Sequence, residues 1–325
     1  MNADILAALQ SVCEIAVFEA GEVLRYQGGF APEMVFVLDG EVDIRFEQGD
    51  EPIDLRVGAG SIIGEMGYLT GRGATAHVKT LSKVRALAIG PAALRRLEER
   101  YPREAADFSR YLAAVARSRQ QENRELLADV REEQAVGMEV LMCNTPQLLH
   151  EAQRVRYDVY CGEFDRHSPY ADHEQKTLID NLDTNGASFL AMVDGRAIGT
   201  SRINLARHGE LAGMPELYGM AASPHHPEKT CVITKYAIRE PWRGGATYMR
   251  IFGAMATYLY QSRLSEIYID CVPKLARFYA TMGFRQCEAE FVHYENGLSV
   301  PMVLDIPAYL ERMPLDERRR KNRWR

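Results

Sequence analysis

The sequence has no apolar run near the ~18 residues that a membrane span needs. Its first residues, Met-Asn-Ala-Asp-Ile-Leu, place no basic stretch ahead of an apolar core. Neither a transmembrane segment nor a secretory signal is therefore expected. Six cysteines (Cys13, Cys143, Cys161, Cys231, Cys271 and Cys287) include no Cys-x-x-Cys pair. They read as reduced, mostly buried thiols of a cytoplasmic protein, not as a disulfide frame or zinc site. His225 and His226 lack an obvious third ligand, so no metal site is expected. There is no internal repeat, and no surplus of positive charge to neutralise nucleic-acid phosphates.

The 325 residues suggest two domains. The net charge is −6: residues 1–135 carry 22 acidic and 16 basic side chains, and residues 136–325 carry 23 of each. Six of the positive charges lie in the last eight residues, Arg318 to Arg325. Nucleic acid is therefore an unlikely partner, and a basic tail over 314–325 is expected to be solvated or to steer an acidic carrier protein.

Between residues 18 and 90 glycine recurs every few residues, and the intervening stretches alternate. Val42, Ile44 and Phe46 share one face, while Asp43 and Arg45 share the other. Met34–Leu38, Ile53–Val57, Ala74–Leu81 and Lys83–Ile89 continue the pattern, which predicts a β-roll over 1–101. From Pro102 to about Gln134 there is no glycine and no further proline. Phe108, Tyr111, Leu112 and Val115 form an apolar stripe at helical spacing, resumed by Leu126, Leu127 and Val130. A connecting helix over 102–137 follows, either solvated or dimer-forming through 102–134.

Residues 138–313 alternate strand and helix, predicting a mixed α/β domain and an α+β protein overall. Ser188–Val193 and Ala197–Asn204 read as a hairpin around Asp194-Gly195. Cys231–Ile238 and Glu266–Cys271 read as strands, Arg243–Gln261 and Lys274–Met282 as helices, and Ser299–Ile306 as a last strand.

The N-terminal motifs resemble cyclic-nucleotide-binding domains of the catabolite-activator type. They are Gly21-Glu22-Val23-Leu24, Gln27-Gly28, Met34 to Val42, Ile63-Gly64-Glu65-Met66, Leu69-Thr70-Gly71 and Ala74-Thr75-Ala76-His77-Val78. The resemblance implies a nucleotide pocket at Gly64, Glu65, Arg72 and Thr75, with Glu65 accepting a ribose hydroxyl. The family's phosphate-binding arginine corresponds to Ala74. Arg72, between Gly71 and Gly73, is the nearest substitute, and the other reading is a vestigial pocket.

Downstream, Pro241-Trp242-Arg243-Gly244-Gly245-Ala246-Thr247 is a glycine-rich turn before a helix, a pattern that lets backbone N–H groups approach an anion. Ala276-Arg277-Phe278-Tyr279-Ala280-Thr281-Met282-Gly283-Phe284 resembles the closing motif of the GNAT acyltransferases. It implies that Tyr279 protonates a departing thiolate, and that Trp242, Arg243, Gly244, Gly245, Ala246 and Thr247 hold the donor.

Arg154-Val155-Arg156-Tyr157, Asp180-Asn181-Leu182-Asp183, Phe189 to Val193, Gly199-Thr200-Ser201-Arg202 and Thr234-Lys235-Tyr236 resemble acyl-homoserine-lactone synthases and N-acyl amino acid synthases. Lys235, where lactone synthases usually carry arginine, and Ile203-Asn204-Leu205, where they carry Leu-Pro-Thr, favour the amino acid synthase branch. The resemblance implies an acceptor site from Arg156, Asp180, Asp183, Arg202 and Lys235. Physical reasoning permits Asp180 and Asp183 to relay an ammonium proton and an arginine to hold a carboxylate, or a structural ion-pair cluster.

The reading is an N-acyltransferase that moves an acyl group from acyl-CoA or an acyl carrier protein to a small amine, expected to be an amino acid, with a cyclic nucleotide as regulator. A protein-lysine acetyltransferase is the alternative enzyme. A transcription regulator is the alternative of another class, but a short helix-turn-helix domain would then have to follow the long helix. Cys271 reads as a buried thiol rather than a nucleophile.

Overall fold

The computed structural model describes residues 1–31, 33–46, 53–126 and 137–312. The chain divides into two units, Met1–Val136 and Gly137–Arg325.

In the first unit, helix α1 (Ala3–Val12) starts where the Asn2 side chain accepts a hydrogen bond from the Ile5 N–H at 2.8 Å. Eight strands follow: β1 (Glu14–Phe18), β2 (Val23–Arg25), β3 (Met34–Asp39), β4 (Val42–Phe46), β5 (Ile53–Val57), β6 (Ile62–Ile63), β7 (His77–Thr80) and β8 (Val84–Ile89). They form two antiparallel four-stranded sheets, β1-β8-β3-β6 and β2-β7-β4-β5. The alternation in β4 is as expected: Val42, Ile44 and Phe46 are buried and Arg45 is exposed. Strand β3 is apolar on both faces because both are covered. Val35 and Val37 join the core with β4, while Met34 and Phe36 join a second core with the helices.

The helices are α2 (Glu65–Thr70), α3 (Pro91–Arg100) and α4 (Pro102–Leu126). Sequence periodicity missed α2, which is a single short turn between two glycines in left-handed conformation, Gly64 and Gly71. Phe108 and Leu112 of α4 are buried against α1 and α3, with Tyr111 and Val115 packed beside them. That part of the apolar stripe is spent on this chain's own core. Its continuation at Leu127 and Val130, and the rest of the helix expected to 134, lie outside the described residues, as does the basic tail.

The second unit follows where a helix-turn-helix would stand in a transcription regulator. Its strands are β9 (Glu139–Met142), β10 (Ala171–Asp172), β11 (Thr177–Leu178), β12 (Gly186–Val193), β13 (Arg196–Leu205), β14 (Thr230–Ile238), β15 (Glu266–Cys271), β16 (Arg285–Gln286), β17 (Phe291–His293) and β18 (Gly297–Asp305). The main sheet runs β16-β18-β15-β14-β13-β12-β9, with β17 paired to β18. Helices α5 (Pro146–Tyr157), α6 (Met214–Leu217), α7 (Gly245–Gln261), α8 (Pro273–Thr281) and α9 (Ile306–Arg312) complete it. The β12–β13 turn places both Asp194 and Gly195 at positive φ, 48° and 74°, the geometry that two-residue hairpins need. A π-helical turn, Asp158–Glu163, extends α5.

Strands β14 and β15 are the parallel pair of this sheet, and their ladder holds only at Thr230, Cys231 and Val232 against Glu266, Ile267 and Tyr268. Beyond it the strands part. On its other edge β14 carries a bulge: between Thr200 and Arg202 of β13 the register slips, and Lys235 adopts φ 53°. No helix among the described residues is long and apolar enough to cross a membrane.

If the α4 stripe is spent internally, Phe108→Ala opens a cavity in the first unit and costs about 3–5 kcal/mol. Thermal unfolding should show this loss with the oligomeric mass unchanged. A fall in that mass would return the stripe to a partner helix.

Candidate active site and nucleotide pocket

The parting of β14 and β15 opens a cleft of about 1040 Å³ in the second unit. Its apolar wall includes Tyr248, Phe252 and Met255 of α7 and Leu275 and Phe278 of α8. Tyr279 lines it from α8, where Gly283 at φ 95° ends the helix and lets the chain turn into Phe284. Burial pushes the Tyr279 hydroxyl up to about 12, and the neighbouring Cys271 and Asp270 act in the same direction. It therefore stays protonated at neutral pH. Burial raises Tyr236 and Tyr248 further still, with Tyr279 among the neighbours that add to it. The Tyr236 hydroxyl donates to the Tyr248 carbonyl at 3.2 Å.

Cys271 is buried, its thiol pushed up to about 11 chiefly by burial, and it faces Met302 Sδ at 3.7 Å. The thiol is buried, as expected, and the residue also lines the cleft. Cys231 is also buried, but the other four cysteines are half-buried, fewer buried thiols than expected.

Of the expected donor residues, Arg243 and Gly244 line the cleft. Gly244, at φ 154°, caps α7, so Gly245, Ala246 and Thr247 form its first turn, where helical N–H groups have no intrahelical acceptor. Arg243 is already engaged: it pairs with Glu163, donates to the Ile238 carbonyl at 3.0 Å and stacks over Phe164. Trp242 is exposed, while Thr247 is buried.

The expected acceptor residues are brought together, in one buried cluster. Arg156 donates to both Asp183 oxygens, at 2.7 and 2.9 Å, and to Ser188 Oγ at 2.7 Å. Arg202 forks onto Asp180 and reaches Asp183 Oδ1 at 2.9 Å and Thr234 Oγ1 at 3.1 Å. Turned inward by the bulge, Lys235 donates to Glu295 Oε2 at 2.5 Å and lies 3.5 Å from Asp180. Burial acts to raise the Asp180 carboxyl, but pairing with Arg202, aided by Lys235 and Arg156, holds it below the ordinary range. Asp180, Arg202 and Lys235 line the cleft, and Asp183 and Arg156 lie behind it. Asp183 is held between Arg156 and Arg202.

Sequence reasoning missed Glu295, Asp270, Asn296, His293, Tyr218 and Arg166, all lining the cleft. His293 Nδ1 accepts the Glu295 and Asn296 N–H groups at 3.0 and 3.2 Å, and burial lowers its pKa. Five of these six come from the π-helical turn's exit and the β17–β18 region or β15, segments with no motif of their own.

In the first unit, Gly64 sits at φ 89°, where an added Cβ would come within 3.3 Å of Arg25 Nε and Nη2. Glu65 is 1% exposed. Its Oε1 lies 3.4 Å from Arg119 Nε and has no hydrogen-bond partner. Arg119 comes from α4 and also donates to the Ile62 carbonyl at 3.0 Å. Arg72 and Thr75 are exposed, and Ala74 is tied by its backbone to Gly28 and Gly29.

Residues 15–101 match the family model of the cyclic nucleotide-binding domain, and residues 151–305 match that of the N-acyl amino acid synthase FeeM. A candidate potassium channel protein of Rhodopseudomonas palustris is 31% identical over 102 residues, 31% of this chain and 25% of that protein. The chain thus spans about a quarter of the length of that curated relative. Among solved structures, the N-acyl amino acid synthase FeeM from uncultured soil microbes is 18% identical, with 56% of this chain and 96% of that one covered, at a TM-score of 0.46. A cAMP-binding acyltransferase from Mycobacterium smegmatis is 16% identical over 97% of this chain and 86% of its own, at 0.29. Each unit thus matches one family model, the cyclic nucleotide-binding domain in the first and an N-acyl amino acid synthase in the second.

Burial raises the Glu65 pKa above the ordinary carboxylate value, and Arg119 offsets this only in part. A folded pKa above the unfolded one means that ionised Glu65 costs stability at high pH and nothing once both states are protonated. Glu65→Gln should therefore raise stability by about 1 kcal/mol above the folded pKa. The gain should vanish as pH falls below the unfolded value. Thermal unfolding of the full chain across this range checks it, and a gain independent of pH would contradict the assignment.

Proposed function

We propose that the second unit transfers an acyl group from a coenzyme A or acyl-carrier-protein thioester to the amine of an amino acid, under control of a ligand of the first. The observation that carries this reading is the parted β14–β15 seam with Tyr279 beside it. Beyond Val232 one edge of β14 has no strand partner in β15. An extended, amide-bearing donor arm can take those backbone hydrogen bonds, much as an added strand does. The first turn of α7 then attracts the donor's phosphates. Arg243 supports that turn but, being paired with Glu163, offers a reduced net charge.

Acyl transfer needs a neutral amine, a polarised thioester carbonyl and a proton for the thiolate. Tyr279 supplies the last, since it is held protonated beside the seam. The aromatic and aliphatic wall of α7 and α8 suits an acyl chain longer than acetyl, which favours a small-molecule acyltransferase over a protein-lysine acetyltransferase. Incubation with acetyl-, octanoyl- and palmitoyl-CoA and pooled amino acids, read by mass spectrometry, tests it. Acetylated protein lysines as the sole product would overturn it.

Tyr279→Phe keeps the ring and removes the proton donor. Turnover should fall roughly 10–10³-fold, with donor affinity nearly unchanged in calorimetry. Unaltered turnover would assign the proton to another group.

For the first unit, Glu65 offers an unbonded buried oxygen to a ligand hydroxyl, and position 74 offers no guanidinium to a cyclic phosphate. Cyclic AMP and cyclic GMP should bind weakly. Ala74→Arg should tighten them by about 10–100-fold, the worth of one charge-assisted pair. Calorimetry decides: tight wild-type binding abolished by Arg72→Ala would give the phosphate to Arg72 instead.

A further inference from the structure

Among the described residues lining the cleft, nearly every charge has its counter-charge. Asp180 and Glu295 are held by Arg202 and Lys235, and Arg243 is held by Glu163. Asp270 differs. Its oxygens accept from two neutral donors, Tyr218 Oη at 3.0 Å and Asn296 Nδ2 at 3.3 Å, and no described cation pairs with it within 4 Å. Two cations are its complement. Lys274 is exposed at the start of α8. Arg166 is half-buried, with its guanidinium 4.9 Å from the Tyr160 ring centre and 4.8 Å from that of Phe164.

Arg166 Nη1 donates to Asn296 Oδ1 at 2.6 Å, while Asn296 Nδ2 donates to Asp270. An unpaired cation and an unpaired anion thus sit at the two ends of one side-chain amide. The carboxylate and ammonium of an α-amino acid, each with one hydrogen bond, cover a similar span. Arg156 and Arg202, which the sequence allows either to hold a carboxylate or to form structural ion pairs, already direct their Nη groups to Asp183 and Asp180, although Arg156 Nε has no hydrogen-bond partner.

We propose that Arg166, Asn296 and Asp270 form the acceptor subsite, which takes a free α-amino acid as its zwitterion: Arg166 binds the carboxylate, and Asp270 holds the ammonium and accepts its proton. This rests on the acyl-transfer reading above. Asp270, next to last in β15, lines the same cleft as Tyr279. Acid and base thereby flank one reacting position. The ammonium proton passes to Asp270, the neutral nitrogen forms the C–N bond and the C–S bond breaks. The thiolate takes a proton from Tyr279, which recovers one from the second N–H. The proton on Asp270 leaves to solvent, so the products are an amide, a thiol and one proton.

The test uses the full chain with octanoyl-CoA and two matched acceptor pairs, phenylalanine with phenethylamine and leucine with isoamylamine. Wild type should prefer each amino acid. Arg166→Gln should raise KM for the amino acids about 10–100-fold, the worth of a charge-assisted fork, and leave the amines unchanged. Arg166→Lys should fall between. Asp270→Asn should lower kcat for all four roughly 10²–10³-fold, with less loss for hydroxylamine, which is already neutral at the assay pH. Octanoyl-CoA affinity equal to wild type shows that a variant is folded, and Asp270→Glu should restore part of kcat. Equal loss on amine and amino acid in Arg166→Gln, or full turnover in Asp270→Asn, overturns this subsite and leaves acyl transfer standing. Absence of wild-type transfer to every amine overturns both.

Discussion

A parallel ladder that stops after three residue pairs governs the second unit. A sheet interior does not leave backbone N–H and C=O groups unpaired without cost, since each buried orphan forfeits a hydrogen bond. Where β14 and β15 part, the cost is avoided only if water or a ligand takes those groups. The seam therefore leaves backbone groups open to water or to a ligand, before any side chain is considered. The bulge on the opposite edge of β14 belongs to the same device. It puts Lys235 at φ 53°, a conformation unfavourable for a lysine, and turns the strand so that Lys235 meets Glu295 and Asp180.

Such a parted sheet needs something else to hold its walls, and the buried charge cluster serves. Three cations, Arg156, Arg202 and Lys235, face three anions, Asp180, Asp183 and Glu295. Taking six charges out of water is expensive, and net stabilisation over an apolar packing is not expected from it. What the cluster does supply is position. It ties α5, the Asp180–Thr184 turn, β13, β14 and the β17–β18 hairpin through directional bonds, and losing one partner would strand a charge. The bidentate arginine forks make this geometry specific where apolar contacts would slide.

Much of this was legible in the sequence because it is periodic or local. The alternation of Val42, Ile44 and Phe46, the Asp194-Gly195 turn and the spacing of Tyr279 from Gly283-Phe284 each report on neighbours a few residues away. The expected strand Glu266–Cys271 coincides with β15, and the expected Cys231–Ile238 differs from β14 by one residue. What was not legible is what the topology joins. Arg166 and Asn296 lie 130 positions apart, and Lys235 and Glu295 lie 60 apart. Arg166 follows an irregular π-helical turn, and Asn296 sits in a short hairpin, so neither carries a period or a motif. For Arg156 and Arg202 the residue types allowed two readings, a carboxylate site or a structural ion pair, and their full burial beside Asp183 and Asp180 weighs toward the second.

The first unit carries an unfinished bond of the same kind, at Glu65. Arg25 is also buried, yet its guanidinium donates to the Leu24 and Glu33 carbonyls, so the fold itself supplies partners for its charge. Glu65 differs: folding alone does not supply a donor to Oε1, and the Arg119 guanidinium stands just beyond hydrogen-bond geometry. A protein that needed only stability would place a neutral or apolar side chain there. Any hydroxyl donor that reaches this oxygen meets Arg119, and Arg119 belongs to α4, whose Phe108 and Leu112 anchor it in the core. A ligand hydroxyl bound to Glu65, as proposed, would therefore compete with Arg119 for one oxygen atom. A ligand shifts the helix only by as much as it binds one arrangement better than the other, and at Glu65 that difference is set by whether the ligand or Arg119 is the better partner.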